Sequence, residues 1–456
     1  MIKFNSNRDT AIFYTCGICN LNCHYCQIDK NPVLLDIDKA LEESFKGDYY
    51  FNRVKEYFPR KDQLRRIETW GGEPFLHMDR IYPLIHKLIS YYPFFDELFS
   101  STNFSFDGWI DQFFGLMDCL AQYPERKFKY TLQLSVDGPE YINDASRGQG
   151  VTKKCLHNFH KLVDLLDEHR LENNIELHIT TKGTLDSLSI QKLLTKDALI
   201  EYYQFIENNY IEPIQQLNLR NIVIRPYVPN TAVPAPVTKQ DGKDFAQLCR
   251  LCREIEHENE IQRYFKYYQY ITPFDEPAAN NGITYSSSEC SHCGTGANML
   301  GFLPNNMMST CHEGFVQFVG KYKELAAQKD TTNNVITFDN FIMEQKVPMC
   351  TSDEGYCEHE RKMGFYTQNS SARLVSTTAM IIALAMADQI DSIYLDEANA
   401  LKAALFVSRS TAWCIKDNYN TTGSFAMQPV GLYKLLLNGA LQEIQRKEGG
   451  FILDTF

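Results

Sequence analysis

Basic residues are in deficit: 45 lysines and arginines stand against 57 aspartates and glutamates, a formal net charge of −12. With no basic stripe to neutralise phosphates, broad binding to nucleic acid or to an anionic membrane is excluded. Long apolar runs are missing as well. The most apolar stretch, 379–386, widens at best to 374–386 and is interrupted by Ser376, Thr377 and Thr378. Crossing a bilayer takes about 20 apolar residues, so this segment reads as a buried helix. No apolar segment of signal-peptide form precedes the first cysteines, and there is no internal repeat or low-complexity tract. The expected setting is therefore the reducing cytoplasm. There, the 14 cysteines serve as metal ligands or core residues rather than disulfide partners. What is present is ample core material, since 44% of the 456 residues are apolar and 13% aromatic, enough for two or three domains.

From residue 10 to 228 strand-like and helix-like patterns alternate. Strands are expected at 10–15, 66–70, 97–102, 130–136, 175–181 and 221–227, with helical patterns near 36–57, 79–92, 108–122, 152–170 and 186–208. Such alternation predicts βαβ units and a parallel sheet, with ligands gathered at the carboxyl ends of the strands. Six units are too few for a closed eight-strand barrel. A Pro- and Ala-rich stretch at 230–237 suits a linker. Beyond it come a helical pattern (241–268), an irregular cysteine-bearing region and, from about 366, a largely helical segment with Ala-rich periodicity.

Directly after the first strand stand Cys19, Cys23 and Cys26, separated by three residues and then by two. Three thiolates on one short loop can hold three corners of an iron–sulfur cube, leaving one iron open, whereas a closed electron-transfer cluster takes four. Zinc is the rival, but zinc loops pair two close cysteines with a second such pair. The order of the spacings, Tyr25 before the last cysteine and the apolar run at 11–14 favour the cluster. Cys16 lies outside the pattern and reads as a small buried residue. Further on, Gly71-Gly72-Glu73-Pro74 closes the second strand, Ser101-Thr102-Asn103 the third, and Ser135-Val136-Asp137-Gly138 the fourth, with Asn143-Asp144 and Arg147 following. Glycines at 71 and 72 allow close backbone approach, and carbonyls exposed there can accept from an ammonium group.

Taken together, these landmarks resemble the radical S-adenosylmethionine (SAM) enzymes, specifically their SPASM/twitch, peptide-modifying branch. The resemblance implies an α/β fold: a partial (β/α)6 TIM-like barrel over 1–235, then a Cys-rich auxiliary iron–sulfur domain over 236–365 and a helical C-terminal region over 366–456. It implies a 4Fe–4S cluster on Cys19, Cys23 and Cys26 that binds SAM. Tyr25, Gly71, Gly72, Glu73, Pro74, Asn103, Ser135, Asp137, Arg147 and Thr181 would then be cofactor contacts. In that family the Gly-Gly-Glu-Pro turn holds the cofactor's amino group, Ser and Asp meet the ribose, and Arg takes the carboxylate through its planar fork. The alternative for Arg147 is a surface ion pair, and for Thr180, Thr181 and Lys182 simple strand-end placement. Two departures stand out: Asn143 replaces the usual His before Asp144, and Phe104 the usual Gly after Asn103.

Cys290, Cys293, Cys311, Cys350 and Cys357 supply thiolates for at least one auxiliary 4Fe–4S cluster, with zinc the alternative there. The dense Cys-x2-Cys-x5-Cys-x3-Cys run of a full SPASM domain is missing, so the region resembles a one-cluster twitch. Asn306 takes the place of that pattern's Gly, and His312 is a candidate donor to a cluster ligand. Cys249 and Cys252 either pack in a core or assist a second cluster. Cys119, Cys155 and Cys414 read as core residues.

The implied activity is hydrogen-atom abstraction from a peptide or protein by a 5′-deoxyadenosyl radical, in a maturase of ribosomally made peptides that forms a crosslink or an oxidised residue. A one-electron reductant such as flavodoxin or ferredoxin is an implied partner. Only 18 residues precede Cys19, leaving no room for a leader-binding domain, so a separate leader-peptide-binding protein or the C-terminal region would recognise substrate. A sugar or alcohol dehydrogenase of the same architecture is the alternative enzyme, and an iron–sulfur electron carrier or sensor the non-enzymatic one. No nucleic-acid or membrane partner is expected.

Overall fold

The computed structural model describes residues 9–26, 28, 30, 32–169, 171, 174–226 and 230–231. Beyond these it describes 244, 247–248, 251–252, 254–255, 299–304, 308–309, 315, 318–319, 375–376 and 426–427. In chain order the elements begin with β1 (Thr10–Cys16), α1 (Val33–Phe45), α2 (Tyr49–Tyr57) and β2 (Arg66–Gly71). A 3-10 turn (Pro74–Ile81), α3 (Tyr82–Tyr91), β3 (Glu97–Thr102), α4 (Trp109–Ala121) and β4 (Phe128–Ser135) follow. Next come α5 (Glu140–Arg147), α6 (Val151–His169), β5 (Ile175–Lys182), β6 (Thr184–Leu185), α7 (Ser187–Lys192) and α8 (Lys196–Ile206). A π turn (Glu207–Ile211), α9 (Glu212–Gln216), β7 (Ile222–Pro226) and β8 (Asn230–Thr231) close this run. The short strands β9 (Met299–Phe302), β10 (Met308–Ser309), β11 (Val375–Ser376) and β12 (Ala426–Met427) lie far along the chain.

All six strands expected from the alternation form, and they pair in one open parallel α/β sheet, ordered β9-β1-β2-β3-β4-β5-β7, with β10 antiparallel at one edge. The seventh parallel strand, β9, was not expected. Four residues without a period-2 signal now lie in register with β1, Thr10 opposite Met299 and Phe13 opposite Phe302. The helical pattern at 36–57 divides into α1 and α2 at Gly47, whose φ of +66° a side-chain-bearing residue rarely adopts.

Alternation along the strands sorts the two faces of the sheet. In β4 the residues Phe128, Tyr130, Leu132 and Leu134 are buried, and Tyr130 meets Phe113 of α4 with ring centroids 6.2 Å apart. The intervening positions are half-open and more polar. Gln133 donates there to Ser101 Oγ at 3.1 Å, beside a stacked Trp70–Phe99 pair. That face is the one an open barrel would turn inward.

Two compact units divide the chain. The first comprises Met1–Lys182, Phe205–Tyr227 and Gly294–Ser352, and holds the sheet. The second comprises Gly183–Gln204, Val228–Cys293 and Asp353–Phe456. Within the second, β6 pairs with β8, β11 pairs with β12, and Asp186 caps α7 through Ser189 N–H at 2.7 Å. The expected auxiliary ligands Cys290, Cys293, Cys311, Cys350 and Cys357 lie outside the described residues, as do Cys249, Cys414, Asn306 and His312. The same holds for 366–456 apart from the four residues of β11 and β12. Among the described residues no helix is long and apolar enough to cross a membrane.

Phe302 anchors the unexpected strand: its ring stacks on Phe13 at 5.5 Å and also meets Tyr57 and Phe58. Phe302→Ala is expected to lower the unfolding free energy in denaturant titration by about 3–5 kcal/mol. Alanine at Leu35, exposed on α1, should change it by less than about 0.5 kcal/mol.

Candidate metal centre

The cysteine loop leaves β1 at Cys16 and is held first at its base. Gly17 N–H donates to Asp38 Oδ1 at 2.8 Å, and Arg80 grips both Asp38 oxygens at 2.9 and 3.0 Å while also donating to Thr15 O. Burial works to raise the Asp38 carboxyl, but the Arg80 guanidinium and the Gly17 N–H hold it below its ordinary value. Cys16, Asp38 and His77 place one ligand atom each within 4.8 Å of one another. Because Arg80 already engages both carboxylate oxygens, this group is an ion-pair node that anchors the loop. Cys16 itself is buried, as expected, and burial pushes its thiol up.

Three turns at the carboxyl ends of β2, β3 and β4 then grip the loop in succession. From β2, Gly72 N–H donates to Cys16 O at 2.9 Å and Glu73 N–H to Ile18 O at 2.8 Å. A Cβ on Gly71 would lie 2.2 Å from Cys16 O, and one on Gly72 2.1 Å from Ile18 O. Both glycines are thus required by the approach of the cysteine loop, and Gly71 also has a φ of +135°. Pro74 O, the next carbonyl in the turn, accepts from Thr15 Oγ1 at 2.9 Å.

Glu73 is buried, and its carboxylate collects three donors: Thr102 Oγ1 at 2.7 Å, Asn103 N–H at 2.7 Å and Phe75 N–H at 3.1 Å. These bonds tie the β2 turn to the β3 turn. Burial nevertheless outweighs them and pushes the carboxyl up to about 7. At the β3 turn, Asn103 Nδ2 donates to Asn20 Oδ1 at 2.9 Å and faces Cys19 Sγ at 3.5 Å. Phe104, standing where the resembled family has Gly, adopts a left-handed φ of +40°. Such a conformation costs a non-glycine residue about 1–3 kcal/mol. The buried ring is held between Trp109 and Tyr210 at 6.0 and 6.4 Å, and Asn158 Nδ2 donates to the Phe104 carbonyl.

From the β4 side, Tyr25 O–H donates to Asp137 Oδ2 at 2.7 Å. Arg147 donates through Nε and Nη2 to the two Asp137 oxygens, each at 2.8 Å, and its guanidinium lies 5.6 Å from the Tyr25 ring centroid. Arg147 is buried, which replaces the surface ion pair weighed for it with an interior one. Asn143 Oδ1 accepts the Asp137 N–H, so the residue in place of His shapes this turn. His24 N–H donates to Ser146 O on α5 at 3.1 Å. Ser135 and Lys182 are in register on the half-open face, whereas Thr181 is in register with Leu134 on the face covered by helices.

Burial pushes the thiols of Cys19, Cys23 and Cys26 up, each thiol feels another of the three, and Lys30 works on all three in the opposite direction. Arg147 adds to that on Cys23 and Cys26. The three sulfurs therefore share one neighbourhood in which Lys30 and Arg147 offset part of the burial penalty on their thiolates.

No protein-family model matches this chain, and no curated protein sequence does. The solved structures to which the chain is similar include two that hold S-adenosylmethionine. One is Streptococcus suis SuiB bound to S-adenosylmethionine, at 16% identity and a TM-score of 0.41, covering 83% of this chain and 70% of that one. The other is a histidine-tagged anSMEcpe with bound AdoMet, at 12% identity and a TM-score of 0.37, covering 79% of this chain and 96% of that one. At such scores the functional reading rests on the residues themselves.

Glu73 gives the site a pH signature. Its folded value of about 7 exceeds its ordinary 4.5, so its contribution to stability is complete below that ordinary value and is lost as pH rises through 7. Glu73→Gln should flatten the dependence of stability on pH between 5 and 8. It should also cost about 1–3 kcal/mol, because one amide donor would face a backbone or hydroxyl donor. Denaturant midpoints at the two pH values measure both effects, and an unchanged slope would contradict the assignment.

Proposed function

We propose that this chain is a radical SAM enzyme that binds a 4Fe–4S cluster through Cys19, Cys23 and Cys26 and SAM beside it. The observation that carries this reading is the convergence of three strand-end turns on one three-cysteine loop, each through hydrogen bonds. A carrier needs its cluster insulated, whereas this loop is built into the rim where α/β sheets bind ligands. When bound, cluster and SAM, given one electron by an external reductant, would supply methionine and a 5′-deoxyadenosyl radical able to take hydrogen from an unactivated C–H bond.

The chain's own part is positioning. The Gly72 and Glu73 N–H groups face the loop, and the carbonyls of the same turn would be the acceptors for an ammonium group. Asp137 spends both oxygens on Arg147, which leaves Arg147 Nη1 as the nitrogen to receive a carboxylate; among the described residues it has no hydrogen-bond partner. Ser135 and Lys182 extend the site onto the half-open face, and Tyr25 O–H locks the loop to Asp137. Of the other expected cofactor contacts, Asn103 faces Cys19 and Asn20, and Thr181 lies on the covered face.

For substrate, the reading is a peptide or protein, modified by crosslinking or oxidation in a maturase of ribosomally made peptides. Its support is the resemblance in the auxiliary cysteines together with the polar half-open face, where Ser101, Gln133 and Thr180 offer amide-matching groups. An auxiliary cluster on Cys290, Cys293, Cys311, Cys350 and Cys357, a flavodoxin- or ferredoxin-like reductant and a cytoplasmic setting belong to the same proposal. A sugar or alcohol dehydrogenase is the second reading.

Anaerobically reconstituted, dithionite-reduced protein is expected to convert SAM to methionine and 5′-deoxyadenosine. Alanine at Cys19, Cys23 or Cys26 should reduce this to background. Intact SAM beside a full iron and sulfide complement would instead identify an electron carrier. Deuterium passing into 5′-deoxyadenosine from a labelled peptide, and not from labelled alcohols or sugars, separates maturase from dehydrogenase.

A further inference from the structure

The side chain of Asn103 has only one orientation open to it. Its Oδ1 accepts from the Ser105 backbone N–H at 3.0 Å and from the Ser105 hydroxyl at 2.7 Å. A backbone N–H can only donate, so Oδ1 must face it and Nδ2 must point the other way. There Nδ2 meets Asn20 Oδ1 at 2.9 Å and Cys19 Sγ at 3.5 Å. The main chain of the same residue is pinned by Glu73 Oε2, and Asn20 is pinned in turn by donating to Ser105 Oγ at 2.9 Å. Cys19 Sγ also faces the Leu21 N–H at 3.4 Å, so two N–H groups converge on one sulfur. A local turn explains the bonds to Oδ1. It does not explain why a buried amide from a turn 84 residues away aims its donor at a cysteine.

We propose that Asn103 is a positioning residue that sets the reduction potential of the cluster, its side-chain N–H donating to the Cys19 corner. This rests on the reading that Cys19, Cys23 and Cys26 hold a 4Fe–4S cluster. A reduced cluster carries one more negative charge than an oxidised one, and part of that charge resides on the thiolate sulfurs. A donor fixed beside a sulfur stabilises the reduced state more than the oxidised state and raises the potential. The network from Ser105 and Glu73 supplies the rigidity, since a donor free to rotate would lose most of this preference.

The test is an EPR-monitored potential titration of the anaerobically reconstituted full chain, following the signal that responds to SAM. Asn103→Leu removes the donor without adding charge. At wild-type iron and sulfide content it should lower the midpoint potential, shifting the reduction equilibrium against the cluster by about tenfold, or about 59 mV for one electron. A purely structural role would alter cluster content or folding and leave that potential in place. Equal potentials at full cluster content would overturn the inference while leaving the cluster reading intact. A wild-type protein that takes up no cluster would overturn both. Should the Leu variant fail to hold a cluster, wild-type protein carrying side-chain-15N asparagine decides. A 15N hyperfine coupling on the reduced cluster supports the assignment, and its absence overturns it.

Discussion

Two peptide segments pressed closer together than any Cβ would permit determine where the chemistry of this protein can occur. The Gly71-Gly72 backbone runs against Cys16–Ile18, with hydrogen bonds of 2.9 and 2.8 Å fixing the register. That contact joins the first two strand ends into one platform. The other turns then add to a loop whose position is already set: Asn103 from β3, Asp137 and Arg147 from β4 and α5. A loop without regular secondary structure is thereby tied to three strand ends.

The polar groups that build this platform are buried, and their arrangement explains why they are tolerated there. An isolated interior charge is costly, and removing one member of a buried ion pair typically costs about 3–5 kcal/mol. Asp137 is therefore saturated by a bidentate guanidinium, a phenol and a turn that orients its own backbone. Glu73 is saturated by three donors, yet its burial keeps proton uptake close to neutrality. The left-handed backbone at Phe104 belongs to the same economy of space: aromatic packing against Trp109 and Tyr210 holds a conformation that glycine would adopt without strain.

Much of this was legible in the sequence because its signals are local. Period-2 burial in β4 and β5 and the strand-end position of each turn follow from residues a few positions apart. The cysteine spacing, the two glycines and the Asp137–Arg147 pairing partners were visible one by one. Their mutual contacts were not. Nothing local links Asp38 to Arg80 across 42 residues, or Tyr25 to Asp137 across 112. Strand β9 escaped because four residues are too few to display a period, and its place beside β1 is decided by the ring of Phe302 meeting Phe13. Thr181 is a second case. Expected as a cofactor contact or a simple strand-end residue, it lies in register with Leu134 on the covered face, a pairing that only the placement of β5 beside β4 reveals.

The central claim is that the cysteine loop holds an iron–sulfur cube by three vertices and keeps one iron open for SAM. Mössbauer spectroscopy of the 57Fe-reconstituted chain, recorded before and after adding SAM, addresses it directly. The account requires a four-iron cluster in which a single iron site changes its parameters when SAM is added, and the loss of that response when the three loop cysteines are replaced. A lone metal ion in the loop, or a four-iron cluster whose spectrum ignores SAM, would contradict it.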